Sequence, residues 1–441
     1  MTPAGRLQAA IELLGAIETD RRPADAVANE FLRTRRFIGG GDRRDIGETV
    51  WGVLRARRRL GWWIARVGAE PTPRLMVMAL MVLGGITVHR AASEFGGSRF
   101  APPPLDDDER RVLEQLDKHT LDHPNMSDGV RLEMPDFVVP LLRARFGERL
   151  EAESEALMQQ APLDLRVNLL KTTREEATGL LAKAKLKAEP TKISPWGLRL
   201  ASRQSVTSSA PFRDGLVEIQ DEGSQLVALL ADAQPGMRVA DYCAGAGGKT
   251  LALAMTMQNK GHIVACDVSP ARLDGAIKRL RRAGVHNAER HLLEPGDKWT
   301  KRQAGKFDVV LVDAPCTGTG TWRRNPDARL RLTEIDLAEL TVKQAAILDE
   351  AQRLVKPGGA LIYATCSMLR AENEDQIAGF LSRHPTFHIV PVGETFPTYL
   401  RGDYLCLSPA HDGTDGFFAC RLERARAMKL LANIEIEHDR P

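Results

Sequence analysis

The chain has 441 residues, 43% of them hydrophobic and 27% charged, with a formal net charge of +3. A length beyond one ordinary core predicts two or three domains, and the composition excludes a disordered or fibrous chain. Charge this balanced excludes a bulk polycation, so any grip on nucleic acid must come from local patches.

The first 125 residues read as helices. Leu7, Ala10, Ile11, Leu14 and Ile17 recur at helical spacing, and Gln8 and Glu12 between them break the pattern of a signal peptide. The longest apolar run, Leu75 to Leu83, is far below the roughly 20 residues that cross a bilayer. A cytoplasmic protein with no membrane partner is therefore expected. Pro23 opens a second helix through Ala26, Val27 and Phe31. Gly39-Gly40-Gly41-Asp42 reads as a loop whose aspartate caps a helix from Arg43 to Leu60. Nine arginines crowd this region (Arg33, Arg35, Arg36, Arg43, Arg44, Arg55, Arg57, Arg58 and Arg59), with Trp51, Trp62 and Trp63 nearby. A solvated helix face is the plain reading. Nine arginines mixed with aromatic rings favour a phosphate-contacting surface, so replacing Arg57, Arg58 and Arg59 is expected to weaken RNA binding.

Pro135 to Gln160 is again helical. A compact α+β stretch follows, with a strand at Leu163–Asn168, a helix from Thr173 to Lys185 and short strands near Leu198 and Val217. Arg166 and Asn168 are either fold-stabilising polar groups or RNA contacts. From Met237 strands and helices alternate, which predicts a doubly wound sheet. Strands are expected at Arg238–Cys243, His262–Asp267, Phe307–Val312, Ala360–Thr365 and Gly416–Leu422. The division expected is 1–125, helical; 126–219, a helical linker plus a small α+β domain; 220–425, α/β; and 426–441, a tail.

Asp241 to Thr250 joins the first of these strands to its helix. The candidate cofactor-binding residues there are Cys243, Ala244, Gly245, Ala246, Gly247, Gly248 and Lys249, because glycines admit a ligand close to helix-terminal N–H groups. A P-loop would need glycine at Cys243, and the dinucleotide fingerprint would need it at Thr250. The second strand ends at Asp267, placed to hold ribose hydroxyls, and Glu294, ahead of Asp297, is the candidate carboxylate after the next strand. Ribose recognition without the full pyrophosphate fingerprint suits S-adenosylmethionine.

All six cysteines (Cys243, Cys266, Cys316, Cys366, Cys406 and Cys420) lie in the second half, and no C-x-x-C pair occurs, so neither a zinc site nor any other metal is expected. Most of them read as small buried hydrophobes. Cys316 and Cys366 stand apart, because each closely follows an apolar strand and Asp313 ends the first of the two. A thiol adds little to methylation of a nucleophilic amine. It matters where the acceptor is an unreactive ring carbon: carbon 5 of cytosine becomes nucleophilic only after a thiolate adds to carbon 6.

On these residues the chain resembles the RsmB/Sun-type family of RNA cytosine-5 methyltransferases. The resemblance rests on Asp241-x-Cys243-Ala244-x-x-Gly247-Gly248-Lys249-Thr250, Asp267-x-Ser269-x-x-Arg272-Leu273, Asp313-Ala314-Pro315-Cys316-Thr317-Gly318, Arg324-x-Pro326, Ala364-Thr365-Cys366-Ser367, Glu372-Asn373-Glu374 and Asp415-Gly416-Phe417-Phe418. It implies a NusB-like helical domain, a small RRM-like α+β domain and a Rossmann-like class I methyltransferase domain. It further implies that Cys366 is the nucleophile, that Cys316 assists release of the product, that Asp313 binds the cytosine near ring nitrogen 3 with Lys249 beside it, and that Arg272 belongs to the cofactor site. The partner implied is RNA, with 16S ribosomal RNA ahead of transfer RNA, and the protein is expected to be a monomer. The reading of another class is a non-catalytic NusB-like RNA-binding factor. The loop departs from the family at Gly245-Ala246, where members carry Ala-Pro, which implies greater local freedom.

Overall fold

Thr2 starts the first helix, Pro3–Thr19: its hydroxyl accepts from the Gly5 N–H, and Pro3 sits at a position that needs no N–H of its own. The structure, a computed structural model, describes residues 1–96, 99–202, 205–395 and 402–426. Its contacts divide the chain into two units, Met1–Gln160 with Trp322–Thr333, and Ala161–Thr321 with the remainder.

The first unit is all helical around a core that includes Leu13, Leu14, Val50, Val53, Leu60, Ile64 and Val77. The single helix expected from Arg43 to Leu60 is two, Gly40–Arg55 and Arg57–Arg66, and the first is entered from Gly39. Asp42 lies inside its first turn, paired with Arg6 and the terminal amine. The break at Ala56 is set by the fully buried Glu133, whose carboxylate accepts from the N–H groups of Arg58 at 3.0 Å and Arg59 at 2.9 Å. A carboxylate there caps the second helix and opposes its N-terminal dipole.

The same geometry gives the three arginines partners. Arg57 pairs with Glu18, Arg58 with Asp136 at 2.8 Å, and Arg59 with Asp122 at 2.8 Å and Glu133 at 3.2 Å. Each thus has a carboxylate partner within the helical unit. Trp63 is buried too, its indole N–H donating to the Leu121 carbonyl. The helices Val138–Phe146 and Leu150–Met158, grouped by sequence with the small α+β domain, pack with this unit.

The segment Trp322–Thr333 closes exposed helix ends in this unit. Asp327 accepts from the Ala24 N–H at 3.0 Å, capping the helix Ala24–Thr34 that has no cap of its own. The buried Arg329 donates to the carbonyls of Arg55 at 2.6 Å and Leu54 at 3.4 Å, where the helix Gly40–Arg55 stops. Arg331 holds the carbonyls of Arg21 and Arg22.

The second unit contains two sheets. Strands β1 (Asp164–Val167), β2 (Ala188–Pro190), β3 (Gly197–Leu200) and β4 (Val217–Ile219) form an antiparallel sheet in the order β2-β3-β1-β4. The large sheet has β5 (Arg238–Asp241), β6 (His262–Asp267), β7 (Ala288–Leu292), β8 (Phe307–Asp313), β9 (Val355–Thr365), β10 (Phe387–Val390), β11 (Leu405–Leu407) and β12 (Phe417–Arg424). Its order is β7-β6-β5-β8-β9-β12-β10, with β11 on β12; β5 to β9 run parallel, and β12 runs against β9. The strand order reverses between β5 and β8, where open α/β sheets form their ligand crevice. Val309, Val310, Leu311 and Val312 are buried, as a central parallel strand requires.

Arg166 and Asn168 are settled as structural groups. Buried Arg166 donates to Gln220 at 2.5 Å and to the Gly248 carbonyl at 2.9 Å, and Asn168 to the carbonyls of Gly215 and Ala283 at 2.8 Å. Both tie the small sheet to the large one. No helix among the described residues is long and apolar enough to cross a membrane.

Candidate active site

Three carboxylates stand at the C-terminal ends of neighbouring parallel strands: Asp241 on β5, Asp267 on β6 and Asp313 on β8. Asp241 is buried and its carboxyl is pushed up to about 6, by burial first and with Asp313 and Asp267 adding to it, against a 2.6 Å hydrogen bond from Thr250. Asp267 accepts from the Gly245 N–H and the Ser269 N–H, both at 2.8 Å. The glycine loop is therefore fastened to the carboxylate that sequence assigned to the ribose. Gly245 has φ +55° and Gly247 φ +80°, conformations that suit only glycine well. The Ala246 carbonyl accepts from Arg279 at 2.7 Å, so a loop expected to have greater freedom is held at three points: Gly245, Ala246 and the Gly247 N–H, which donates to the Ala244 carbonyl.

Lys249, in the first turn of the helix Gly248–Thr256, reaches back to Asp313 at 2.5 Å. Burial opposes its charge, but the Asp313 carboxylate outweighs that and holds the ammonium above its ordinary value. The pair leaves the Asp313 side chain partly exposed beside the buried ammonium.

Cys316 follows β8 and Cys366 follows β9, and since these strands are neighbours in register the two sulfurs lie 3.4 Å apart. Two thiols that close cannot both ionise. The Cys316 thiol is raised well above its ordinary value, by the hydrogen bond to Cys366 first and by burial second.

A buried network holds the two thiol loops together. Glu372 accepts from the Thr317 N–H at 2.8 Å, the Thr317 hydroxyl at 2.5 Å and Gln344 at 3.0 Å. Gln344 also holds the Pro315 carbonyl at 2.9 Å. Asn373 accepts from Thr365 at 2.6 Å and donates to the Ser367 carbonyl at 2.9 Å, so the residues on both sides of Cys366 are fixed. Gly320 passes so close to Gly416 that an added Cβ would lie 2.2 Å from the Gly416 oxygen. Sequence placed Glu372 and Asn373 within a motif without a role; among Arg370, Glu374, Asp375 and Gln376 nothing local marks them as buried.

The crevice thus gathers Asp241, Lys249, Asp267, Asp313, Cys316 and Cys366. Cys243 and Ala244 lie on the same loop, with Cys243 raised by burial first and by these carboxylates second. Arg272 and Glu294 are exposed, one at the first turn of the helix Pro270–Ala283 and the other in the turn after β7. Asp297, the other carboxylate considered, is engaged by His291 at 2.7 Å and the Trp299 N–H at 2.8 Å. Among the described residues no cluster able to hold a metal is found.

Comparison with known proteins gives the family. Residues 228–423 match the family model described as 16S rRNA methyltransferase RsmB/F, and 134–207 match the ferredoxin-like domain of the same family. A probable ribosomal RNA small subunit methyltransferase B from Synechocystis is 33% identical over 87% of this chain and 92% of its own length. The ribosomal RNA small subunit methyltransferase B of Serratia proteamaculans is 31% identical over 88% of this chain and 92% of its own. The crystal structure of PH0851 superposes with a TM-score of 0.79 at 26% identity, over 96% of this chain and 99% of that one. The chain belongs to the RsmB/F family and is an S-adenosylmethionine-dependent RNA cytosine-5 methyltransferase.

Proposed function

We propose that the RNA is small-subunit ribosomal RNA, that the enzyme works in the cytoplasm, and that its two thiols divide the covalent chemistry between them. The observation that carries the division is the 3.4 Å thiol pair, in which the Cys316 thiol is raised by its hydrogen bond to Cys366 and by burial. Cys366 as thiolate adds to carbon 6 of the cytosine, which makes carbon 5 nucleophilic. Asp313, steadied by Lys249, holds the ring near nitrogen 3 and favours the adduct. Once carbon 5 is methylated, water takes its proton, that electron pair re-forms the carbon 5–carbon 6 double bond, and the carbon–sulfur bond breaks with its electrons returning to the Cys366 sulfur as thiolate. Cys316 donates a hydrogen bond to the departing Cys366 sulfur and makes it a better leaving group.

The residues present fit the cofactor. Three carboxylates at adjacent strand ends suit a ligand that carries a sulfonium, an ammonium and ribose hydroxyls. Asp267 holds the ribose, and the left-handed Gly245 and Gly247 let the loop turn close to it. Bound there, S-adenosylmethionine supplies an electrophilic methyl group. Asp267→Ala should weaken cofactor binding by about 1.5–3 kcal/mol in calorimetry, the worth of charge-assisted hydrogen bonds. Unchanged affinity in folded protein would remove that role.

The target is tested by offering transcribed 16S ribosomal RNA and bulk transfer RNA to the enzyme with labelled cofactor, followed by bisulfite sequencing. Methylation at one cytosine of the ribosomal RNA is expected. Label confined to transfer RNA would overturn the proposed target while leaving the chemistry intact.

A further inference from the structure

The loop joining β5 to the helix Gly248–Thr256 has Gly245-Ala246 where members of the family carry Ala-Pro. Proline fixes its own φ and restricts the residue before it. A loop without it has more freedom to lose when a ligand settles on it. Here the restraint comes from outside the loop.

The helix Pro270–Ala283 turns one face to it. Gly275 and Ala276 lie on that face, and Arg279 follows Gly275 at the four-residue spacing that stacks side chains along a helix. A Cβ on Gly275 would stand 3.8 Å from the Ala246 methyl, and a Cβ on Gly247 would stand 3.1 Å from the Ala276 methyl. Small residues thus let the loop down onto the helix. The Arg279 guanidinium then closes on it, one terminal nitrogen donating to the Ala246 carbonyl at 2.7 Å. The Ala246 N–H makes no hydrogen bond among the described residues, so a proline at this position would forfeit none.

Arg279 is itself held. Its other terminal nitrogen lies 3.5 Å from Glu218, a buried carboxylate on β4 of the small sheet that also pairs with Arg282. Glu218 supports the charge of buried Arg166 as well, while Arg279 opposes it. One carboxylate therefore balances three guanidinium groups and fixes where Arg279 points.

We propose that Arg279 is a positioning residue for the cofactor, doing from the neighbouring helix what a proline does inside the loop, and that Glu218 keeps it in place. The small sheet thereby helps to set cofactor affinity without touching the cofactor. This rests on the proposed seat of S-adenosylmethionine beside the glycine loop, and it adds what holds that loop ready.

The test measures S-adenosylmethionine binding to the full chain by calorimetry, and methyl transfer to RNA at saturating cofactor. Arg279→Ala should weaken binding roughly tenfold, the lower end of what a hydrogen bond from a charged donor is worth. Its kcat should stay within about twofold of the parent, because the restraint acts alike on ground and transition states. Arg279→Lys keeps a charged donor and should recover most of the affinity. In an Ala246→Pro background the Arg279→Ala change should weaken binding by less than about twofold, since the ring already restrains the loop. Glu218→Gln combined with Arg279→Ala should bind no worse than Arg279→Ala alone, as two residues acting through one bond require. Arg279 is partly exposed on a 14-residue helix, so its variants should melt close to the parent. Unchanged affinity in Arg279→Ala would overturn the proposal. So would an equal loss in the Ala246→Pro background, or a kcat that falls together with affinity in Arg279→Lys. If Asp267→Ala also binds the cofactor as the parent does, the seat beside the loop is wrong, and that failure is distinct from a failure of Arg279 alone.

Discussion

Denaturing gels of Cys316→Ala, incubated with RNA and labelled cofactor, should show a slow-migrating protein–RNA adduct; Cys366→Ala and the double variant should show none. Loss of activity alone would decide nothing, because both residues follow buried strands and either change can disturb packing. The covalent outcomes differ in kind. Without Cys366 no sulfur adds to carbon 6, so methyl transfer should fall by roughly a thousandfold or more, the scale of losing a principal catalytic group. Without Cys316 the addition and the methyl transfer proceed, but the departing sulfur lacks its donor at 3.4 Å and the methylated base stays attached. An adduct with Cys366→Ala would reverse the roles, and no adduct with either single variant would end the two-thiol account.

The second large effect concerns a residue that touches no substrate. Glu372→Ala removes the acceptor of three hydrogen bonds that position the Cys316 loop. Leaving such donors buried and unpaired should cost about 3–5 kcal/mol of stability. Turnover should fall by roughly a hundredfold through misplacement of the thiol by a fraction of an ångström. Glu372→Gln keeps one oxygen acceptor and should recover part of both. Cofactor affinity is the discriminating measurement: the glycine loop and Asp267 share no bond with Glu372, so it should be preserved while kcat falls. If affinity and kcat fall together in Glu372→Gln, the residue supports the whole sheet rather than the thiol loop.

Sequence made the centre of the second unit legible because its chemistry is local. The run Val309–Val312 is apolar on both faces, and Asp313 and Cys316 follow it at once, so strand, carboxylate and thiol could be placed together. Strands β10 and β11 were not foreseen, and β7 only without bounds, as the strand ahead of Glu294. They are short and partly exposed, as in β7, where no residue is fully buried, so they carry no continuous apolar run. The break at Ala56 was hidden for another reason: its cause is Glu133, more than seventy residues away in the chain. Composition drew attention to Arg57–Arg59, but whether an arginine is free depends on partners that only the fold brings near. The network around Glu372 was invisible on the same ground, since Thr317 and Gln344 approach it from other elements.

The segment Trp322–Thr333 has a consequence for how the protein is made. Helix ends near residues 24 and 55 receive their partners from Asp327 and Arg329. A ribosome that has finished Gln160 has therefore not yet supplied them. At roughly 5–20 residues per second, about 10 to 30 seconds pass before that segment is synthesised. During that interval the helical unit waits with those ends open to water, and its last bonds form only when the strand bearing Asp313 has already left the ribosome's active centre. The N-terminal half begins first and finishes late, so the order of synthesis is not the order in which the units are completed.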